Sequence, residues 1–446
     1  MLEENISAIS TAPMTSGVAV IRISGDDPLS IAEKMFESKT PVREFEPYKM
    51  YVGNILADGL TDYGMCVYFA APKSYTGENM VEFHCHGGIA ITQAILKKTF
   101  ALGARPATNG EFTKRAFMNG KLSLSSAEGL IEMINAESDA LFKAGFYLYK
   151  EKLLEKVGSF QDKLKYVLAF IEANIDYPED DVAPADVEDV KNKLCEVRNG
   201  ILSLMDKYEG SARIKNGVKV VICGKPNAGK SSLLNAVLGL DKAIVTSVAG
   251  TTRDVVEGEK TINGVRFLFS DTAGIRESDD EVESLGIQRS KRTIESADII
   301  VFVVDRESGY DARDEEVYSL VKDRSPIIVF NKSDLKNHAS VPVKCDLSVS
   351  AKTGENIDAL IKEIFDRSQV ENVIVGGEYL TEERHYVALK KASEILTRVI
   401  TSIDADPLDA LTIELNEAWK TLGLISGETV TEAVIDEIFS KFCVGK

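Results

Sequence analysis

The run Gly224-Lys225-Pro226-Asn227-Ala228-Gly229-Lys230-Ser231 constrains this chain more than any other stretch, because it follows an apolar segment, 218–223, and opens an apolar helical one. A strand, a glycine turn and a helix must be built in that order for backbone N–H groups to close around a β-phosphate at a helix N-terminus. Lys230 then sets its charge on the β and γ oxygens, and Ser231 offers its hydroxyl to Mg²⁺. Asp271-Thr272-Ala273-Gly274 closes the strand 265–270, where a carboxylate can hold the Mg²⁺ shell and a glycine amide can sense a γ-phosphate. Asn331-Lys332-Ser333-Asp334 follows the apolar strand 327–330. A carboxylate in the plane of a purine accepts from N1–H and the 2-amino group of guanine and repels the bare N1 of adenine, so Asp334 selects guanine. Ser350-Ala351-Lys352, after another short strand, supplies a backbone amide for the guanine carbonyl. Four such elements in this order predict a GTP-binding domain and argue against an ATPase. The expected nucleotide contacts are Asn227, Ala228, Gly229, Lys230, Ser231, Ser232, Asp271, Thr272, Ala273, Gly274, Asn331, Lys332, Asp334, Ser350, Ala351 and Lys352.

Two departures from a Ras-like pattern bear on mechanism. After Gly274, where a Gln would orient the attacking water, stands Ile275, which has no polar atom to offer. Another residue must position the water. The acidic stretch Glu277, Asp279, Asp280, Glu281 and Glu283 lies downstream, though most of its carboxylates need only solvate a surface loop. Asn227 either stabilises the turn of the phosphate loop or joins carbonyls of the switch segment Gly250-Thr251-Thr252-Arg253-Asp254 in an all-oxygen cage for a monovalent cation. Thr252 is the expected second hydroxyl ligand of Mg²⁺.

At 446 residues the chain has room for about three domains. Short alternating runs at 18–23, 48–56, 65–69 and 80–83, with helical stretches after Asp27 and Gly88, predict an α+β N-terminal domain. From about Ser123 the period becomes helical, with Ser125 and Glu128 as a capping box and Leu153, Val157, Phe160, Leu164, Val167, Ile171 and Ile175 on one stripe. A further stripe runs from Val187 to Tyr208. Near Gly217, strands alternate with helices, and continuous apolar runs at 218–223, 299–304 and 327–330 predict buried parallel strands. Asn263-Gly264 marks a hairpin turn. This unit ends with a helix at 355–365 and a linker at Gly376-Gly377, and helical periodicity resumes behind Asp406-Pro407. The expected layout is an α+β domain at 1–120, the first part of an all-α helical domain at 121–216, an inserted Ras-like α/β P-loop GTPase domain at 217–375, and the second helical part at 376–446.

The chain carries 52 Lys and Arg against 70 Asp and Glu, a net charge of −18, so nucleic acid must meet a local basic patch or a second protein. The cysteines, at 66, 85, 195, 223, 345 and 443, are scattered without a CxxC, which predicts a reducing cytosol. An N-terminus without basic residues and apolar runs too short for a bilayer predict a soluble cytoplasmic protein with no membrane segment. His84 and His86 share a strand face, but with four histidines in the chain and no further ligand spacing they read as a strand end packing before Gly87-Gly88 rather than a metal pair. Thr429 and Glu432 read as the capping box of a last helix, with Val434, Ile438 and Phe442 on one side. That helix leads into Phe442-Cys443-Val444-Gly445-Lys446, which suggests a tail delivered to another part of the chain.

Together with the GTPase motifs, the segment 17–25, Ser74-Tyr75-Thr76-Gly77-Glu78 with Glu82, Gly110-Glu111-Phe112-Thr113-Lys114-Arg115-Ala116-Phe117, Asn119-Gly120-Lys121, the 250–254 switch and Cys443-Val444-Gly445-Lys446 resemble the signatures of the MnmE (TrmE) family of tRNA modification GTPases over the whole chain. The one visible departure is Val444, a conservative apolar change. The resemblance implies a homodimer formed through the N-terminal domains. It also implies a tetrahydrofolate derivative, 5-formyl or 5,10-methylene, held there by Arg22, Glu82, Lys121 and Lys446, a set of groups that suits an anionic planar ligand. It further implies K⁺ held by Asn227, Thr246, Val248 and Thr251, nucleotide contacts along Thr246, Ser247, Val248, Ala249, Gly250, Thr251 and Thr252, and K⁺-dependent dimerisation of the GTPase domains that activates hydrolysis. Glu283 aligns with a water-orienting glutamate, and with Lys230 and Cys443 it completes the candidate catalytic set. The implied partner is the FAD-dependent MnmG (GidA) protein. The implied product is an aminomethyl or carboxymethylaminomethyl group at C5 of the wobble uridine of certain tRNAs. A ribosome-assembly switch of the Era-like class would want a basic RNA-binding module beside the GTPase, and neither flank has one. Membrane remodelling would want an amphipathic or basic tip, and none is found.

Overall fold

The computed structural model describes residues 4–176, 187–239, 258–271, 292–335, 342–404, 407–427 and 430–446. Two compact units divide the chain. One is built from Met1–Ile131, Leu148–Gln161 and Asn416–Lys446, the other from Glu132–Tyr147 and Asp162–Leu415. Among the described residues, no helix is long and apolar enough to cross a membrane.

The first unit holds a seven-stranded sheet of β1 (Ile6–Ile9), β2 (Ser16–Gly25), β3 (Phe36–Glu37), β4 (Met50–Ala57), β5 (Leu60–Phe69), β6 (Asn79–Gly87) and β7 (Arg105–Pro106), in the order β3-β4-β5-β6-β2-β1-β7. Alternation along β2 decides its faces: Ala19, Ile21 and Ile23 enter a core with Ile55, Phe83 and Ile95, the last from the helix Ile89–Ala101. Each buried isoleucine or phenylalanine of this set removes apolar surface worth roughly 2 kcal/mol from water. Arg22 is left on the opposite face, directly across from Glu82 of β6.

The chain's last helix, Glu432–Ser440, joins this unit. Its N-cap is Thr431; the expected cap Thr429 lies outside the described residues, as does Asp406. Ile438, Phe439 and Phe442 are buried with Leu124 and Ala127, and Phe117 and Val434 pack against them. Beyond the helix, Asn109 bridges Val444, and the Gly110 N–H donates to the Cys443 carbonyl at 3.4 Å. Gly445 lies so close to β1 that a Cβ there would stand 2.2 Å from the Ile9 carbonyl oxygen. The tail is therefore delivered to the N-terminal sheet.

Two expectations are corrected. Helix Leu124–Ile134 is capped by Ser123, whose Oγ accepts from the Ser126 N–H at 3.1 Å, while buried Ser125 donates to the Ile425 carbonyl at 2.7 Å. Leu124 is fully buried, and driving it into the core carries Ser125 inside the first turn. Gly376-Gly377 is a helix end rather than a linker: Val370–Gly376 is helical, and Gly377 closes it at φ 63°, its N–H donating to the Val373 carbonyl.

The second unit holds β8 (Val218–Cys223), β9 (Gly258–Ile262), β10 (Val265–Asp271), β11 (Ile299–Asp305), β12 (Ile327–Asn331) and β13 (Leu347–Ser348), in the order β13-β12-β11-β8-β10-β9. All pairs are parallel except the β9–β10 hairpin, whose Asn263 and Gly264 both take positive φ, 49° and 77°, as a two-residue primed turn requires. Every residue of β11 is buried. Alternate residues feed two cores, Val220, Ile222, Val301 and Val303 on one side and Val221, Cys223, Phe302 and Val304 on the other, as a sheet covered on both faces demands. Helix Tyr208–Asn216 leads into β8, and its Lys215 pairs with Glu382 at 2.5 Å and Glu132 at 3.0 Å. Burial pushes the Glu132 carboxyl up to about 7 against the pull of Lys215. Helices Val187–Met205 and Glu383–Ser402 pack against each other in the same unit.

Gly110 tests the docking of the tail, because its φ is 65° and a Cβ there would stand 2.4 Å from the Phe439 carbonyl oxygen. Gly110→Ala should speed amide hydrogen exchange over 432–446 by about tenfold or more. Gly120→Ala, at φ 67° with open space around it, should leave that protection unchanged. Equal protection in the two variants would contradict the contact.

Candidate functional site

The carboxyl ends of parallel strands are where an open α/β sheet gathers ligand-binding loops. Here β8 runs into Gly224–Ser231, and the helix Lys230–Leu238 starts behind Gly229. Gly224 (φ 149°) passes so close to β11 that a Cβ would stand 2.3 Å from the Val303 carbonyl oxygen. A Cβ on Gly229 (φ 86°) would stand 2.3 Å from Asn331 Nδ2. Neither position tolerates a side chain, and the loop presents bare backbone N–H groups at a helix N-terminus.

Lys230 is buried and its ammonium donates to the Lys225 carbonyl at 3.2 Å. Ser231 Oγ donates to Asp271 Oδ2, at the end of β10, at 2.8 Å. That pair of hard oxygens fits Mg²⁺. Asn331, at the end of β12, stitches three loops together. Its Nδ2 donates to the Ala228 carbonyl at 3.1 Å, and its Oδ1 accepts from the Ala351 N–H at 3.1 Å. Ser350 donates to Asp334 Oδ1 at 2.7 Å, which orients an exposed carboxylate, a group that can accept at two points. Lys332 takes a left-handed φ of 66° and pairs with Asp305 Oδ2 at 2.8 Å.

In the first unit, Arg22 Nε donates to Glu82 Oε1 at 2.8 Å, and His84 Nε2 lies 3.4 Å from Glu82 Oε2. The Arg22 guanidinium sits 5.2 Å from the Tyr75 ring and 5.5 Å from the Phe112 ring. Burial alone would raise the Glu82 carboxyl, but the nearby His84 imidazole and the Arg22 charge together hold it below the usual carboxylate range. The loops around it are fixed from behind. Arg115 pairs with Glu78 at 3.0 Å and Glu111 at 3.1 Å, and Asn119 donates to the Thr76 carbonyl at 2.8 Å. Lys121 donates to the Pro72 carbonyl at 2.9 Å, and the Lys446 N–H donates to the Cys443 carbonyl. Cys443 is exposed. His86 pairs with Asp62 at 2.6 Å, and among the described residues no group of three His, Cys, Asp or Glu is placed to hold a metal.

The family model described as "MnmE helical domain" matches residues 124–443, and the one described as "GTP-binding protein TrmE N-terminus" matches residues 5–121. The tRNA modification GTPase MnmE of Natranaerobius thermophilus is 37% identical over 459 residues, covering 100% of both chains. That of Clostridioides difficile is 37% identical over 463 residues, again covering 100% of both. The chain belongs to the MnmE family of tRNA modification GTPases. It is a GTPase, built as an N-terminal α+β domain, a helical domain and a P-loop GTPase domain. A crystal structure of Era from Aquifex aeolicus bound to GDP and aluminium fluoride is 30% identical, with a TM-score of 0.27, covering 40% of this chain and 66% of Era.

In this MnmE-family chain, Asn227, Ala228, Gly229, Lys230, Ser231 and Ser232 fall on the phosphate loop and its helix, Asp271 on the end of β10, and Asn331, Lys332, Asp334, Ser350, Ala351 and Lys352 on or after β12 and β13. Thr246, Ser247, Val248, Ala249, Gly250, Thr251, Thr252, Thr272, Ala273, Gly274, Ile275 and Glu283 lie outside the described residues. Arg22 and Glu82 are joined directly, whereas the Lys121 side chain donates to the Pro72 carbonyl and the Lys446 main-chain N–H to the Cys443 carbonyl. Sequence reasoning missed Tyr75, Phe112 and His84 as neighbours of Arg22 and Glu82. The first two stand inside motifs already singled out, and the alternation that faces Arg22 away from the core was the available signal.

Folding holds Glu82 below its ordinary value of 4.5, so its pairing stabilises the fold above that pH and is lost as pH falls through the lower folded value. Glu82→Gln should therefore lower stability near neutrality by ~1–3 kcal/mol, with the gap to wild type closing in acid. Urea unfolding across that range checks it, and a gap that does not change with pH would contradict the assignment.

Proposed function

We propose that this chain couples GTP hydrolysis to modification of tRNA, adding an aminomethyl or carboxymethylaminomethyl group at C5 of the wobble uridine with a tetrahydrofolate one-carbon donor. The observation that carries this reading is Arg22, walled by Tyr75 and Phe112 and salt-bridged to Glu82, in the same compact unit as the docked C-terminal tail. A planar ligand with a carboxylate tail and a donor-rich ring edge suits such a set: Arg22, Lys121 and Lys446 offer cations, and Glu82 offers an acceptor for ring N–H groups. The 5-formyl or 5,10-methylene derivative, when bound, supplies the transferred carbon. Cys443, exposed on the docked tail, is the candidate thiol for that chemistry.

For hydrolysis, Lys230 places its charge on the β and γ oxygens, the loop amides hold the β-phosphate, and Ser231 with Thr252 and Asp271 provides the Mg²⁺ oxygens. Asn227, Thr246, Val248 and Thr251 hold K⁺. K⁺, when bound, would neutralise charge that an arginine neutralises elsewhere. Glu283 positions the attacking water through its carboxylate, since Ile275 has no hydrogen-bonding group. Asn331, Lys332, Asp334, Ser350, Ala351 and Lys352 select guanine. The working assembly is a cytoplasmic homodimer through the N-terminal domains, in a heterocomplex with the FAD-dependent MnmG (GidA) protein and tRNA, and K⁺-dependent pairing of GTPase domains activates turnover. The working domain boundaries are 1–120, 121–216, 217–375 and 376–446.

Titration calorimetry with 5-formyl-tetrahydrofolate tests the N-terminal half of this reading. The wild-type chain should bind it, and Arg22→Ala should weaken binding by about tenfold or more, the scale of one charge-assisted contact. Absence of binding by the wild type, or undiminished binding by Arg22→Ala, would contradict it.

A further inference from the structure

The phosphate loop carries a second lysine, Lys225, whose ammonium is committed to protein rather than to phosphate. Lys225 is buried, and its Nζ donates to the Gly309 carbonyl at 2.6 Å and lies 2.7 Å from Asp314 Oδ2 and 3.3 Å from Asp311 Oδ2. Asp314 has no exposed surface, and among the described residues its Oδ1 has no hydrogen-bond partner, so Lys225 is the charge that makes this buried carboxylate tolerable. Burial pulls the Lys225 ammonium down, but Asp314 and Asp311 outweigh it and hold it above the ordinary lysine range.

Both aspartates belong to a capping box. Asp311 accepts from the Arg313 and Asp314 N–H groups at the start of helix Ala312–Val321, and Asp314 Oδ2 accepts from the Asp311 N–H at 3.0 Å. The same segment begins at Asp305, which pairs with Lys332 of the guanine loop at 2.8 Å. Residues 305–314 thus grip the phosphate loop at one end and the guanine loop at the other. On the loop itself, the Lys225 carbonyl accepts from Lys230 Nζ at 3.2 Å and from the Ala228 N–H at 3.3 Å. Where the Lys225 main chain is held, the Lys230 ammonium and the loop amides are held with it.

A buried ion pair is a weak source of net stability, because desolvation offsets most of the Coulombic gain. Its value here is geometric. We propose that Lys225 is a positioning residue of the GTPase: by pinning the second residue of the phosphate loop to segment 305–314, it sets the loop amides and Lys230 in place before a nucleotide binds. A loop ordered in advance loses less freedom on binding, so the effect belongs in nucleotide affinity rather than in the chemical step.

The double variant Lys225→Met/Asp314→Asn removes both buried charges together, and the asparagine keeps an acceptor for the Asp311 N–H. Fluorescent GDP and GTP analogues titrated onto the full chain, with steady-state turnover and thermal melting in parallel, give the readout. The expected result is a Kd for both nucleotides raised about tenfold or more, kcat at saturating GTP within about threefold of wild type, and a near-native Tm. Lys225→Arg, which keeps a charge for both carboxylates, should bind nucleotide more tightly than the double variant does. If the double variant melts below the assay temperature, Asp314→Asn alone takes its place with a rise of about threefold, because Lys225 keeps its Gly309 and Asp311 partners. A folded variant that binds nucleotide as wild type does would overturn the proposal, and so would a fall in kcat at unchanged Kd.

Discussion

The side-chain amide of Asn331 holds the two ends of the nucleotide site in register. It spends both of its faces on backbone, the Ala228 carbonyl in the phosphate loop and the Ala351 N–H beyond β13, and it is 2% exposed. Each bond contributes only about 1 kcal/mol net, yet a backbone group orphaned in so dry a place costs about 1–3 kcal/mol. The geometry around it follows from that constraint. Gly229 is required because Asn331 Nδ2 occupies the space of a Cβ, and Gly224 is required because β11 lies against it. The parallel order β12-β11-β8-β10 brings the carboxyl ends together, so loops more than a hundred residues apart in the chain meet at one place.

Much of this was legible in the sequence because it rests on local periodicity. The unbroken apolar run of β11 could only be a strand buried on both faces, and Asn263-Gly264 could only turn a tight hairpin. Alternation in β2 placed Ile21 and Ile23 inward and left Arg22 outward. What failed was local chemistry overruled by packing. Ser125 has the spacing of a capping residue, but the burial of Leu124 moved the helix start so that Ser123 caps it. Lys225 and Asp311, 86 residues apart, could not be paired from sequence, since no local periodicity links a loop lysine to an aspartate that distant in the chain. The rings of Tyr75 and Phe112 around Arg22 depend likewise on how loop and helix fold over the sheet.

The two compact units divide the candidate residues. One gathers the loops of the GTPase motifs around a mostly parallel sheet; the other sets Arg22 and Glu82 on the face of a mostly antiparallel sheet opposite the Ile21 core and draws the chain's final residues onto that sheet. A tail that frays would need no such fit. This one is fitted closely, since neither Gly110 nor Gly445 has room for a methyl group. A surface of net charge −18 does not attract nucleic acid by itself, so tRNA must meet a local basic patch or a second protein.

The central claim is that GTP hydrolysis in one unit serves one-carbon chemistry on tRNA in the other. Mass spectrometry of nucleosides from tRNA of cells lacking this protein tests it most directly, with the wild-type chain and the phosphate-loop variant Lys230→Ala each returned to those cells. The account predicts loss of the C5-aminomethyl-type wobble uridines, their return with the wild type and their continued absence with Lys230→Ala. Unchanged wobble uridines in the cells lacking the protein would contradict it.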